Sequence, residues 1–92
     1  MDNNNDMTTW RNEIETDMKS YGESFDDVVA TAPADLDLDR KFDSGYGGNE
    51  GRPFTLWTTG RVYFPVVYDG SEWVESVPRN PCNEVSAHVG GQ

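Results

Sequence analysis

The stretch from Pro53 to Pro78, PFTLWTTGRVYFPVVYDGSEWVESVP, constrains the fold more than any other part of the chain. It holds Phe54, Leu56, Trp57, Val62, Tyr63, Phe64, Val66, Val67, Tyr68, Trp73, Val74 and Val77, most of the large apolar and β-branched side chains available. Thr59-Gly60 and Asp69-Gly70 punctuate it, and Asp-Gly between two apolar runs is the strongest short-range hairpin signal. The pattern predicts three antiparallel strands, roughly 53–58, 61–68 and 72–77, in a meander. Pro65 supplies no ladder donor, so the middle strand is expected to be interrupted, bulged, or turned so that Pro65 faces away from its neighbour. Three strands need cover for an apolar face, and only the N-terminal half can supply it.

That half reads as helical. Thr8 or Thr9 can cap a helix over about 9–21, with Trp10, Ile14, Met18 and Tyr21 on one face and Gly22 as its stop. Ser24 to Asp27 fits a capping box, followed by a short apolar stripe of Phe25, Val28, Val29 and Ala32 that ends at Pro33. A third short helix is expected at about 35–43, because acids at its start and Arg40-Lys41 at its end suit the macrodipole. The expected fold is therefore α+β: two to three short N-terminal helices packed on a three-stranded antiparallel β-meander. The core would join Trp10, Ile14, Met18, Phe25, Val28, Leu38 and Phe42 to Phe54, Leu56, Val62, Phe64, Val66 and Trp73. The whole chain, 1–92, is expected to be one domain. It divides into a flexible tail (1–7), an acidic helical half (8–43), a Gly-rich loop (44–52), the meander (53–78) and a C-terminal coil (79–92).

Charge is the next constraint. The net charge is −10, and residues 1–51 carry −9 of it against −1 for residues 52–92. Direct binding to nucleic acid or an anionic membrane is disfavoured by repulsion, whereas a basic protein would be steered in. The plainer role of such charge is to keep a small protein in solution. No apolar run is long enough for a membrane span and no secretory leader is visible, which with the single Cys82 fits a reducing cytoplasm.

No motif carries recognisable chemistry. Asp35-x-Asp37-x-Asp39 opens like a calcium loop, but Arg40 stands where its glycine belongs and Tyr46 where its terminal glutamate belongs. The glycines at 45, 47, 48 and 51 lack the Lys-Ser/Thr of a phosphate loop. Cys82 and His88 lie near a loosely held end with no rigid element to align them, and a half-buried cysteine with an exposed histidine is the ordinary reading. Trp57, Tyr63, Tyr68 and Trp73 fit core packing or a protein-contact patch, since too few bases flank them to stack single-stranded nucleic acid. Neither a cofactor nor a metal is expected, and the chain is read as non-enzymatic.

The remaining constellation is the acids of residues 13–43, which on short helices would approximate rows of phosphates. In size, in this acidic half, in its single cysteine and in lacking a catalytic signature, the chain resembles a class of small phage-encoded proteins. These act against host defence, and include anti-CRISPR proteins and restriction-blocking DNA mimics. That resemblance implies a non-catalytic inhibitor in the host bacterial cytoplasm. Its partner would be a basic, nucleic-acid-handling protein, such as a CRISPR effector, whose DNA- or RNA-binding surface it occludes. Asp26, Asp27, Asp35, Asp37 and Asp39, with Tyr46 on the glycine-rich loop, are the expected contact residues. The alternative is a small adaptor or structural phage protein that binds a neutral partner through the aromatic face of the sheet.

Overall fold

A computed structural model of the chain describes residues 7–45 and 50–89. Its elements are β1 (Met7–Thr8), α1 (Trp10–Lys19), a single 3-10 turn (Phe25–Asp27), β2 (Val28–Ala32), β3 (Phe42–Asp43), β4 (Thr55–Thr58), β5 (Arg61–Tyr68) and β6 (Ser71–Pro78). Strands β2-β4-β5-β6 form one antiparallel sheet in that order, and β1 pairs with β3 in a second, minimal one.

The three expected strands are present, but the expected fold is overturned: among the described residues there is one α-helix, not two or three, and the meander gains a fourth strand. The capping box at Ser24 does form, with Ser24 N–H donating to Asp27 Oδ2 at 2.9 Å. It starts only one turn. The chain then enters β2, because the β-branched Val28, Val29 and Thr31 suit a pleated surface and the open edge of β4 offers ladder partners. The expected helix at 35–43 is replaced by turns. Asp37 Oδ1 accepts the Asp39 N–H at 3.0 Å, the local side-chain bond by which aspartate competes with a helix, and Phe42 then pairs with Thr8.

Helix α1 forms as its spacing dictates. Thr9 caps it by accepting the Asn12 N–H at 3.1 Å, and Trp10, Ile14 and Met18, four apart, are all buried. Gly22, at φ 69°, then turns the chain so that Glu23 N–H reaches back to Met18 C=O at 3.1 Å. Tyr21 falls beyond the helix and is 41% exposed, not part of the buried face.

The β5–β6 hairpin closes through Asp69 and Gly70, both at positive φ (52° and 83°), the geometry of a type I′ turn. A two-residue loop makes Tyr68 and Ser71 a hydrogen-bonded pair, and the alternation then directs the backbone N–H positions of 61, 63, 65 and 67 away from β6. Pro65 therefore costs the hairpin nothing. The β4 ladder ends at the Leu56–Tyr63 pair, before Pro65 would be needed as a donor.

Register also decides which side chains meet α1. One cross-sheet row runs Thr31–Leu56–Tyr63–Ser76, and the next runs Ala30–Trp57–Val62–Val77. The first faces the helix. The core is Trp10, Ile14, Met18, Phe42, Phe54, Leu56, Tyr63 and Val74, with Phe25, Val28, Leu36 and Leu38 packed against it. Val62, Phe64, Val66 and Trp73, expected in this core, alternate onto the opposite face of the sheet. No helix among the described residues is long and apolar enough to cross a membrane.

Candidate functional site

Two surfaces and one buried cluster hold the groups that could act. The first surface is acidic. The 3-10 turn carries Asp26 and Asp27, and the turns after β2 carry Asp35, Asp37 and Asp39. Arg11 ties the two together: its guanidinium lies 5.1 Å from the centre of the Phe25 ring and pairs with Asp39 at 2.8 and 3.2 Å. That hydrogen bond, and then the Arg11 charge, hold the Asp39 carboxyl below the usual aspartate range.

Three of the five expected acids thus serve the fold locally. Asp27 completes the capping box, Asp37 closes a turn and Asp39 pairs with Arg11. Asp26 and Asp35 are exposed, and their carboxylates make no hydrogen bond among the described residues. Asp35 and Asp37 border a small cleft of about 150 Å³ with Pro33, Leu36, Arg40 and Arg52. Tyr46, the expected contact on the glycine-rich loop, lies outside the described residues.

The second surface is the sheet face turned away from α1. Trp57, Val62, Phe64, Trp73 and Val77 stand on it half-buried, Val66 is buried where the 50–53 segment approaches, and Tyr68 at its end is 47% exposed. The helix α1 packs on the other face, and residues 84–89 border a cleft at the Phe64–Val77 end of this one. An antiparallel sheet with one solvated face ordinarily alternates apolar inward and polar outward. Here both faces are apolar. The one acid in the patch, Glu75, accepts the Trp73 indole N–H at 2.7 Å. The sequence offers Trp57, Tyr68 and Trp73 as a possible patch, yet its expected core also takes in Val62, Phe64, Val66 and Trp73; the missing signal is the phase of the alternation, not its existence. Tyr63, grouped with that patch, is fully buried on the other side.

The buried cluster sits where α1 ends over the β4–β5 turn. Glu23, delivered by Gly22, accepts the Tyr63 hydroxyl at 2.7 Å and the Thr58 hydroxyl at 2.9 Å. Thr58 Oγ1 in turn accepts the Arg61 N–H at 2.8 Å, closing the turn. Burial, then the Glu23 hydrogen bond, push the Tyr63 phenol far up, so it remains a donor. Arg61 is buried too: Nε donates to Ser76 Oγ at 2.7 Å, and its two terminal nitrogens donate to the two Glu84 oxygens at 2.8 Å each. Its carbon centre lies 3.5 Å above the Tyr21 ring. Asp17 completes the cluster. Burial raises its carboxyl above the usual range, more than the Ser76 hydrogen bond and the Arg61 charge lower it, and its Oδ2 is buried without a partner. With Tyr63 and Thr58 both fully buried, these two hydroxyls are closed to a substrate and tie elements together.

Cys82 is exposed rather than half-buried, and His88 is exposed as well. Among the described residues no three metal-ligating side chains converge. Comparison with family profiles, with characterised proteins and with solved structures finds no match.

Proposed function

We propose that the protein is a non-catalytic inhibitor that binds a basic, nucleic-acid-handling protein, such as a CRISPR effector, in the bacterial cytoplasm. It would act by occluding that partner's DNA- or RNA-binding surface. The observation that carries this reading is the open, aromatic sheet face on a chain of net charge −10. Tryptophans standing half-buried beside β-branched residues are the kind of anchor on which protein interfaces concentrate their energy. The charge selects the partner: long-range attraction brings in a basic surface and repels nucleic acid itself. Asp26 and Asp35, whose carboxylates have no hydrogen bond within the described protein, are the acids best placed to meet partner lysines and arginines.

A second reading has its own support. Because Asp27, Asp37 and Asp39 already serve local structure, the sheet face could act alone on a neutral partner, as an adaptor would.

One experiment separates the two. The tagged protein is used to capture partners from a bacterial lysate at graded salt, and the retained protein is purified and tested for nucleic-acid binding with and without this chain. Inhibition supports occlusion when retention falls with salt, falls about tenfold in affinity on Asp26→Lys plus Asp35→Lys, and is lost on Trp57→Ala. Retention insensitive to salt and to charge reversal, with Trp57→Ala still damaging, moves the function to the neutral adaptor. A retained partner whose nucleic-acid binding is unaffected overturns occlusion.

A further inference from the structure

The described part of the C-terminal segment is anchored at its start by Arg79 and further on by Glu84, which borders the cleft at the Phe64–Val77 end of the sheet face. Arg79 starts the segment firmly, its N–H donating to Gly60 C=O at 2.9 Å and its guanidinium to Thr58 C=O at 2.7 Å. Beyond it, every described residue from Asn80 to Val89 is exposed. Among the described residues, the hydrogen bonds from this run to the rest of the protein are those of Glu84 alone, which grips Arg61 with both oxygens. The segment then passes Phe64, Glu75 and Val77, leaving an open cleft of about 320 Å³ between them and Val85, Ala87 and Val89. Its side chains form one wall of that cleft while each residue stays largely exposed. Val85 is 90% exposed and Val89 48%.

We propose that residues 80–89 are a releasable strap, latched by Glu84 on Arg61, that covers the Phe64–Val77 end of the sheet face and uncovers it when the latch opens. The proposal rests on the reading of that face as the docking surface, and it assigns the face a closed and an open extent. Phe64 lies next to Val62 along β5 on the same face, and Val77 is Val62's cross-strand partner, so release makes one continuous apolar surface with Trp57 and Trp73.

Opening is feasible because it strands no charge. Breaking a buried ion pair is costly when one partner is left without compensation. Arg61 would keep Ser76 Oγ at 2.7 Å, Ser76 C=O at 3.1 Å and the Tyr21 ring. Asp17 adds its negative charge on the inner side, with Oδ2 free to accept a bond. Glu84, at the surface, returns to water. The arginine is thus held in two ways, with the strap and without it, which is what a two-state element needs.

The test uses the isolated 92-residue chain, so its outcome is independent of whether a partner is found. Backbone heteronuclear NOEs and amide shifts are recorded for the natural protein, Glu84→Gln and Glu84→Arg, with binding of a hydrophobic dye in parallel. In both variants the NOEs of residues 80–89 should drop to those of a free chain end. The amides of Phe64 and Val77 should shift and dye binding should rise, while Trp10, Ile14 and Leu56 stay in place. A segment in the variants as ordered as in the natural protein overturns the latch. A loosened segment with unmoved Phe64 and Val77 and unchanged dye binding overturns the strap, because it would then cover nothing.

Discussion

The Tyr63 hydroxyl donates to Glu23 Oε1 at 2.7 Å across forty residues of sequence, from the middle of the sheet to the first residues after α1. Neither residue reaches the other without help. Gly22 turns the chain so that Glu23 points back at the sheet, and the register of β4 on β5 puts Tyr63 beside Leu56 on the inner face. The same carboxylate holds Thr58, whose hydroxyl closes the β4–β5 turn. Helix end, sheet centre and turn therefore share one acceptor.

Tyr63→Phe removes only the hydroxyl and keeps the ring in the core. A hydrogen bond to a charged group, with its acceptor left partly buried, leads to an expected loss of about 1–3 kcal/mol. Urea unfolding should show a lower midpoint with unchanged slope. A loss below about 0.5 kcal/mol would show that Thr58 and water satisfy Glu23 unaided.

Gly51 matters through proximity. A Cβ at this position would overlap the edge of the Trp10 indole and stand 3.0 Å from the Phe42 ring. Trp10 cannot easily retreat, since its Nε1 donates to Arg52 C=O at 2.9 Å and its ring packs on Phe42 and Phe54 with centroids 4.6 and 5.0 Å away. Gly51→Ala should therefore cost about 1–3 kcal/mol by overpacking. In a domain this size that lowers Tm by about 4–8 °C per kcal/mol. An unchanged melt would mean that the 50–53 segment moves aside freely.

Much of the sheet was legible because its signals are local. Asp69-Gly70 demands positive φ at two successive residues, and few sequences other than a hairpin turn use that. What failed was the choice between competing local and long-range bonds. Ser24 to Asp27 is a sound helix start, yet Val28 and Val29 lose more in a helix than in a strand, and β4 offers its edge. By position alone Asp37 is a helix-start acid that the macrodipole favours. Its bond to the Asp39 N–H instead makes the turn that prevents the helix.

The candidate site was less legible for a related reason. Alternation in RVYFPVVY states that two faces exist, not which one meets the helix, and a shift of one residue exchanges Tyr63 for Val62 and Phe64. Packing of Leu56 and Tyr63 with Trp10, Ile14 and Met18 of α1 settles it, and those contacts are long-range. The Arg61–Glu84 latch was invisible for the same cause: twenty-three residues separate them, and an isolated Arg and Glu carry no signal of meeting.

Asp17 supplies the last prediction, through pH. Its folded-state carboxyl titrates above the ordinary value, chiefly from burial, so the folded protein binds a proton more readily than the unfolded chain. Between the unfolded and folded pKa values the folded state therefore holds more protons, and the Asp17 contribution to stability falls as pH rises through that window. Above it, the ionised Asp17 is a standing cost. Asp17→Asn keeps an acceptor for Ser76 and removes the charge, so it should raise Tm at pH 7 by a few degrees, with the gain vanishing in acid below the unfolded aspartate value. Asp69→Asn is the control for net charge, since Asp69 is exposed in the β5–β6 turn and asparagine tolerates its positive φ. Thermal melts across pH 3 to 8 decide the matter. If Asp69→Asn raises Tm as much as Asp17→Asn, relief of overall repulsion explains both, and burial of Asp17 has no special part.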